Sequence, residues 1–263
     1  MIPKAVPPFT IPFMAFIFGA CVGSFLNVCI YRVPRGKSIL FPGSSCPTCG
    51  HAIPFYFNIP ILSYIILRGQ CHQCHTPFSM RYPAVEILTA LAALATVARF
   101  GISVQSGVWF TFLCTLIVVA FIDYDFQIIP DIISLPGIPV FALASVLSGH
   151  HPWQTSLAGI LMGGGSLYAV AMIYYFIRKE EGMGGGDIKL LAMIGAATGW
   201  QGVLFTLFAG SLLGTLAGCV IMMAKRTMAP RLRIPFGPYL SMGAITYIFK
   251  GKALIQWYFA LIY

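Results

Sequence analysis

The chain has 263 residues but only seven acids, and all four aspartates fall in two short stretches. Asp123, Asp125 and Asp131 lie in "FIDYDFQIIPDII", and Asp187 follows Gly184, Gly185 and Gly186 in "EGMGGGDIKL". Two carboxylates brought within a few ångströms cannot both ionise comfortably. One keeps its proton, and the pair can then activate water while protonating a carbonyl or a leaving amine. The residues alone leave two other readings open. Asp131 and Asp187 each stand where a helix cap or first-turn acid is favoured, and intramembrane acids also serve ion pathways. Glu86 opens an apolar segment, whereas Glu180 and Glu181 read as solvated loop charges.

A second constellation is Cys46-x-x-Cys49 and Cys71-x-x-Cys74, with 21 residues between the pairs. Paired knuckles at this spacing suit a tetrahedral zinc ion held by four thiolates. Four sulfur ligands leave no open position for water, which makes the metal structural. His51, His72 and His75 sit beside the knuckles and could replace a ligand. Cys21, Cys29, Cys114 and Cys219 fall in apolar segments and read as small buried hydrophobes.

The elements that must carry these groups are membrane helices. The chain is 58% hydrophobic and 9% charged, and a soluble core could not hide that much apolar surface. About eight spans are expected, each near the roughly 20 residues a bilayer requires. They fall near 9–31, 84–100, 107–124, 131–148, 153–177, 187–199, 201–223 and 235–249. The first lacks a convincing cleavage site and reads as a retained helix. The expected fold is an all-α polytopic membrane protein with a small zinc-bound cytoplasmic loop domain. Residues 1–31 form the first helix, 32–83 the loop domain, and 84–263 the remaining membrane domain. Gly210, Gly214 and Gly218 have the spacing of close helix packing.

With the N-terminus outside, three segments face the cytoplasm and hold twelve of the sixteen basic residues, from Arg32 to Arg81, from Arg178 to Lys189, and from Lys225 to Arg233. Lys4, Arg99, Lys250 and Lys252 lie opposite. The net charge of +9 is then explained by topology and anionic lipid, and a nucleic-acid partner is not indicated. In that compartment structural disulfides are rare, which favours metal for the cysteines. Asp123 and Asp187 fall at the same membrane face.

"GMGGGDIK" resembles the GxGD signature of intramembrane-type aspartic proteases, with Gly184-Gly185-Gly186-Asp187 as its core. "GSFLNVCIYRVP", the cysteine pairs, "LRGQC", "RYPAVE" and "DYDFQIIPD" resemble bacterial type IV prepilin peptidases, in the same order and over nearly the whole chain. The resemblance implies a bifunctional leader peptidase and N-methyltransferase in the bacterial inner membrane, with its active site facing the cytoplasm. Its catalytic aspartates would be Asp123 and Asp187. Asp125 competes for the first role, and Asp131 would cap the fourth span. The implied substrates are type IV prepilins and pseudopilins, cut after a glycine that ends a short basic leader. Gly184, Gly185 and Gly186 would make room for unwound substrate.

The resemblance further implies methylation of the new N-terminal amine, often on phenylalanine, by S-adenosylmethionine. No glycine-rich nucleotide fingerprint of the Rossmann type is present. The methyl-donor site is therefore expected on the zinc loop, where Gly69, Arg81 and Glu86 match motif positions. Phe57 departs from the acid common in the family before Asn-Ile-Pro, which bears on methyl transfer and not on proteolysis. The competing classes are an aspartate-based proton- or metal-coupled transporter with a regulatory zinc loop, and a non-enzymatic assembly platform. The transporter would show repeated halves, and no repeat is visible.

Overall fold

A computed structural model describes residues 9–180, 184–225 and 235–262. Lys4, Glu181, Met183, Arg226, Arg231 and Arg233 lie outside the described residues. Those described are overwhelmingly helical, with two isolated β-bridges in place of a sheet. Among the described residues, five helices are long and apolar enough to cross a membrane. Their outward faces carry large apolar side chains such as Phe18, Leu161, Ile173 and Phe208, which suits a hydrocarbon solvent and not water. The chain forms two compact units that divide at Val118.

The first unit packs α1 (Thr10–Arg32) against α3 (Arg81–Phe100). Gly19 and Gly23 allow this approach: a Cβ on either would come within 2.7 Å of the Ala90 or Glu86 backbone. Small residues four apart are how helices come close where lipid gives them no hydrophobic drive. Between these helices lie the cysteine loop and a short helix, α2 (Leu62–Ile66). The loop is built twice from one design. Cys46 N–H donates to His51 O and Gly50 N–H to Cys46 O, each at 2.9 Å. Cys71 N–H donates to Thr76 O and His75 N–H to Cys71 O, again at 2.9 Å. Gly50 (φ 69°) and His75 (φ 56°) occupy the same left-handed position after their knuckles.

α4 (Val104–Phe126) enters the second unit, followed by α5 (Asp131–Leu147), α6 (Trp153–Arg178), α7 (Gly185–Lys225) and α8 (Gly237–Thr246). The sixth and seventh expected spans are two parts of α7, 41 residues long. A straight helix of that length would measure about 60 Å, twice the hydrocarbon thickness. It breaks at Gly199 (φ 73°, ψ −179°), a conformation open essentially to glycine alone. The break frees carbonyls, and side chains meet them. Ser156 Oγ donates to Ala196 O at 3.0 Å, and Ser145 Oγ to Ala197 O at 3.1 Å. The eighth expected span continues further than the sequence suggests, through a π-turn at Tyr247–Gly251 into α9 (Lys252–Ile262).

Gly210 and Gly214 face α8 at Tyr239, as packing glycines should. The cysteines in helices behave less uniformly than expected. Cys114 is buried and Cys29 half-buried, but Cys21 and Cys219 lie exposed on helix surfaces. A small thiol is at little cost in lipid, so burial is not required of it there.

Candidate active site

Asp123 lies on the last turn of α4. That helix stops because Gln127 turns left-handed (φ 55°), its N–H closing on Asp123 O at 2.8 Å, with Pro130 soon after. Asp187 is the third residue of α7, and its N–H meets Gly184 O at 3.2 Å. The segments that carry the two carboxylates meet: a Cβ on Gly186 would lie 2.8 Å from Ile129 Cβ, and Lys189 Nζ stands 2.7 Å from Asp131 Oδ1. Asp123 is 5% exposed and Asp187 half-buried. Asp125, two residues on along the same helix, is exposed. The structure therefore brings Asp123 and Asp187 together within the second unit.

Asp131 has a different part from the cap expected of it. It makes no capping bond, and Pro130 occupies the cap position. Its Oδ1 instead receives Lys189 Nζ at 2.7 Å, tying the start of α5 to the first turn of α7. The three glycines also differ among themselves. Nothing lies within 4 Å of a Cβ placed on Gly184 or Gly185. A Cβ on Gly186 would come within 2.8 Å of Ile129 Cβ, so its smallness is spent on packing.

One residue of this site escaped the sequence reading. Gly237 N–H, at the start of α8, donates to Asp123 Oδ2 at 2.8 Å. Pro235, Gly237 and Pro238 mark a helix start in the sequence, but nothing in them names the acceptor.

The cysteine pairs converge in the first unit. The sulfurs of Cys46, Cys49, Cys71 and Cys74 all lie within 4.8 Å of one another, a cluster able to hold a metal ion. Their local bonds already favour thiolate at two positions. The backbone N–H of Cys49 lowers the Cys46 thiol, and Thr76, through its hydroxyl and its N–H, brings Cys74 down to about 6.

Beside the cluster, in the same unit, is a cavity of about 710 Å³. Glu86 and Gly69 line it, together with Asn27, Phe57, His72 and Tyr82; Arg81 is not in its wall. Among the described residues Glu86 is the only acid lining it. It is 8% exposed and accepts the Ile61 N–H at 2.7 Å. Ile61 holds that N–H in place from a γ-turn (φ 64°, ψ −51°) closed by Leu62 N–H on Pro60 O at 2.6 Å. A β-branched residue rarely accepts such a turn. Asn27 Nδ2 donates to Tyr82 O at 3.0 Å, while its buried Oδ1 has no partner among the described residues. Gly69 (φ 68°) sits where a Cβ would strike the Tyr64 ring at 2.8 Å. Phe57 packs on His72, ring centroids 5.2 Å apart. Ile61 carries no sequence signal, because its role arises from a contact with a distant residue; Asn27 falls within "GSFLNVCIYRVP", but that motif does not name its partner.

Apolar helices long enough to cross a bilayer define the class, a multi-pass membrane protein. The chain belongs to the type IV leader peptidase family. Residues 110–219 match that family, and residues 17–100 match the bacterial peptidase A24 N-terminal domain. Relatives that bear the name prepilin leader peptidase/N-methyltransferase include the following three. That of Pseudomonas putida is 35% identical, over 92% of this chain and 91% of its own length. That of Pseudomonas aeruginosa is 33% identical over 95% and 94%, and that of Neisseria gonorrhoeae 34% over 91% and 90%. No solved structure matches.

Proposed function

We propose that Asp123 and Asp187 are the catalytic pair of a prepilin leader peptidase, and that the cavity beside the cysteine cluster serves its second activity, N-methylation. Both activities are those named for the relatives. The transporter reading has no support from them. The observation that carries the peptidase assignment is the meeting of the two helix ends that bear the carboxylates, with Gly186, next to Asp187, packed on Ile129, and Lys189 paired with Asp131.

In this mechanism one carboxylate takes a proton from water as its oxygen attacks the scissile carbonyl carbon. The other carboxyl gives its proton to the carbonyl oxygen. A proton then passes to the leaving nitrogen and the C–N bond breaks, releasing a leader acid and a new amine. Gly184 and Gly185, open on their outer side, leave space for an extended substrate backbone. The type IV prepilin or pseudopilin would lie with its apolar helix in the bilayer and its scissile bond at the cytoplasmic surface of the inner membrane.

S-adenosylmethionine would supply a methyl group on a sulfonium whose departure leaves a neutral thioether. The cavity suits it: its volume lies in the range of ligand sites, and its one acid provides the charge that a cationic donor or an ammonium needs. Glu86 would draw the cationic centre, and Asn27 Oδ1 offers an acceptor to an N–H. Gly69 shapes the wall. Arg81 belongs to the same reading by motif only, its guanidinium lying 5.8 Å from the Tyr82 ring centre.

Zinc fits the four cysteines. The four sulfurs lie within 4.8 Å of one another, and one pair, Cys46 and Cys74, already stands at 3.8 Å, about the separation in a tetrahedron of Zn–S bonds near 2.3 Å. With four sulfur ligands the ion would be structural, holding the 32–83 loop.

Purified protein incubated with a prepilin and methyl donor, followed by mass spectrometry, tests both activities. Loss of the leader and gain of one methyl are expected. Retained cleavage by both Asp123→Asn and Asp187→Asn would remove the pair from the mechanism.

A further inference from the structure

The start of α8 has an unusual hydrogen-bond pattern. A helix leaves its first N–H groups without internal partners, and at membrane depth such groups cannot be left to water. In α8 these are settled one by one. Pro238 has no N–H. Tyr239 and Leu240 both turn back to Phe236 O at 3.1 Å. Only Gly237 points its N–H away from the helix, and its acceptor is Asp123 Oδ2, 114 residues earlier in the chain. Position 237 is also closed to any side chain. A Cβ there would lie 2.7 Å from Asp123 Oδ2, 3.2 Å from its Cγ and 3.3 Å from its Cβ.

We propose that Gly237 is a positioning residue of the peptidase site, so that α8 joins α4 and α7 as a third element of the active centre. The inference rests on the assignment of Asp123 to the catalytic pair. Gly237 acts twice on the same group. Its N–H engages one carboxylate oxygen and so fixes the Asp123 rotamer, leaving Oδ1 for the proton transfer with water. Its missing side chain lets the carboxylate seat against the helix start. The two prolines suit this use, since Pro238 withdraws the competing donor at the next position.

The test is Gly237→Ala in the full-length protein, with Gly210→Ala as the packing control. Gly210 is also crowded by α8, a Cβ there meeting Tyr239 O at 3.2 Å, but it does not touch Asp123. Displacing a reacting group by about 1 Å can cost on the order of 100-fold in rate. Gly237→Ala should therefore lower kcat for leader cleavage about 100-fold with KM within about threefold. Methyl transfer to a pre-cleaved peptide should be kept, and Gly210→Ala should keep kcat within about threefold. Equal kcat losses in both variants would overturn the proposal, as would unchanged kcat in Gly237→Ala.

Stability gives a second reading should Gly237→Ala fold poorly. Truncating Asp123 removes the atoms that the new methyl would strike, so Asp123→Ala should restore the melting temperature lost by Gly237→Ala. If the double variant melts no higher than Gly237→Ala alone, the crowding lies elsewhere and the proposal fails. The underlying assignment fails differently: Asp123→Asn would then cleave prepilin whatever the behaviour of Gly237→Ala.

Discussion

The two units hold their chemical groups by opposite means. In the second, rigid helices bring Asp123 and Asp187 together, and close contact is made by omitting side chains, at Gly186 against Ile129 and Gly237 against Asp123. In the first, loops hold the thiols through short local hydrogen bonds, and the same knuckle is built twice. A helix-built site is set by packing and should resist chelators. A loop-built site of about fifty residues has little core of its own and should depend on a metal for its fold. The difference therefore teaches where each activity is vulnerable.

The harshest test of that contrast removes one function at a time. Asp187→Asn should reduce leader cleavage by roughly 1,000-fold or more, as loss of an acid–base group does, while a pre-cleaved peptide is still methylated. Conversely, Cys71→Ser, or exhaustive chelation, should release the bound metal and abolish methyl transfer. A structural zinc site contributes about 10 kcal/mol to folding, so the loop should become sensitive to protease. Metal analysis beside the two activity assays would check this. Cleavage and methylation lost in parallel under chelation would break the contrast.

A smaller effect is expected at Gly199. Its conformation costs a side chain about 1–3 kcal/mol, and a Cβ would also come within 2.6 Å of Thr155 Cγ2. Gly199→Ala should lower the unfolding temperature of the protein and leave metal content unchanged. Metal loss in this variant would mean that the two units do not respond separately.

Much of this was readable in the sequence, for identifiable reasons. Apolar runs announce membrane helices because their length is set by the bilayer, and Cys-x-x-Cys pairs announce a thiol cluster because a knuckle is local. Asp123 and Asp187 were legible as candidates because acids are scarce in such a chain. The family motif favoured Asp123 over Asp125, but that Asp123 is buried and Asp125 exposed was not legible, since exposure depends on which way a helix faces. Gly237 and Ile61 were not legible, and Asn27 was legible only as one letter of a family motif. Each matters through one partner distant in sequence, namely Asp123, Glu86 and Tyr82, and no local pattern encodes such a pairing. Asp131 shows the converse error. Its position suited a cap, but Lys189, 58 residues away, took the carboxylate instead.

That ion pair supplies the mildest prediction. Lys189 and Asp131 are 34% and 58% exposed, and a pair so open to solvent is worth about 0–1 kcal/mol. Asp131→Asn and Lys189→Met should each shift stability by no more than that, and the double variant should add little to either alone, because both delete one interaction. Lys189 is two residues from Asp187, so a small change in cleavage rate is expected, about threefold at most. A loss in Asp131→Asn as deep as in Asp187→Asn would place Asp131 in the chemistry and undo the pairing of Asp123 with Asp187. A loss confined to Lys189→Met would instead make the lysine act apart from its partner. Near-equal, non-additive effects are the outcome that leaves Asp131 as a brace holding α5 to the first turn of α7.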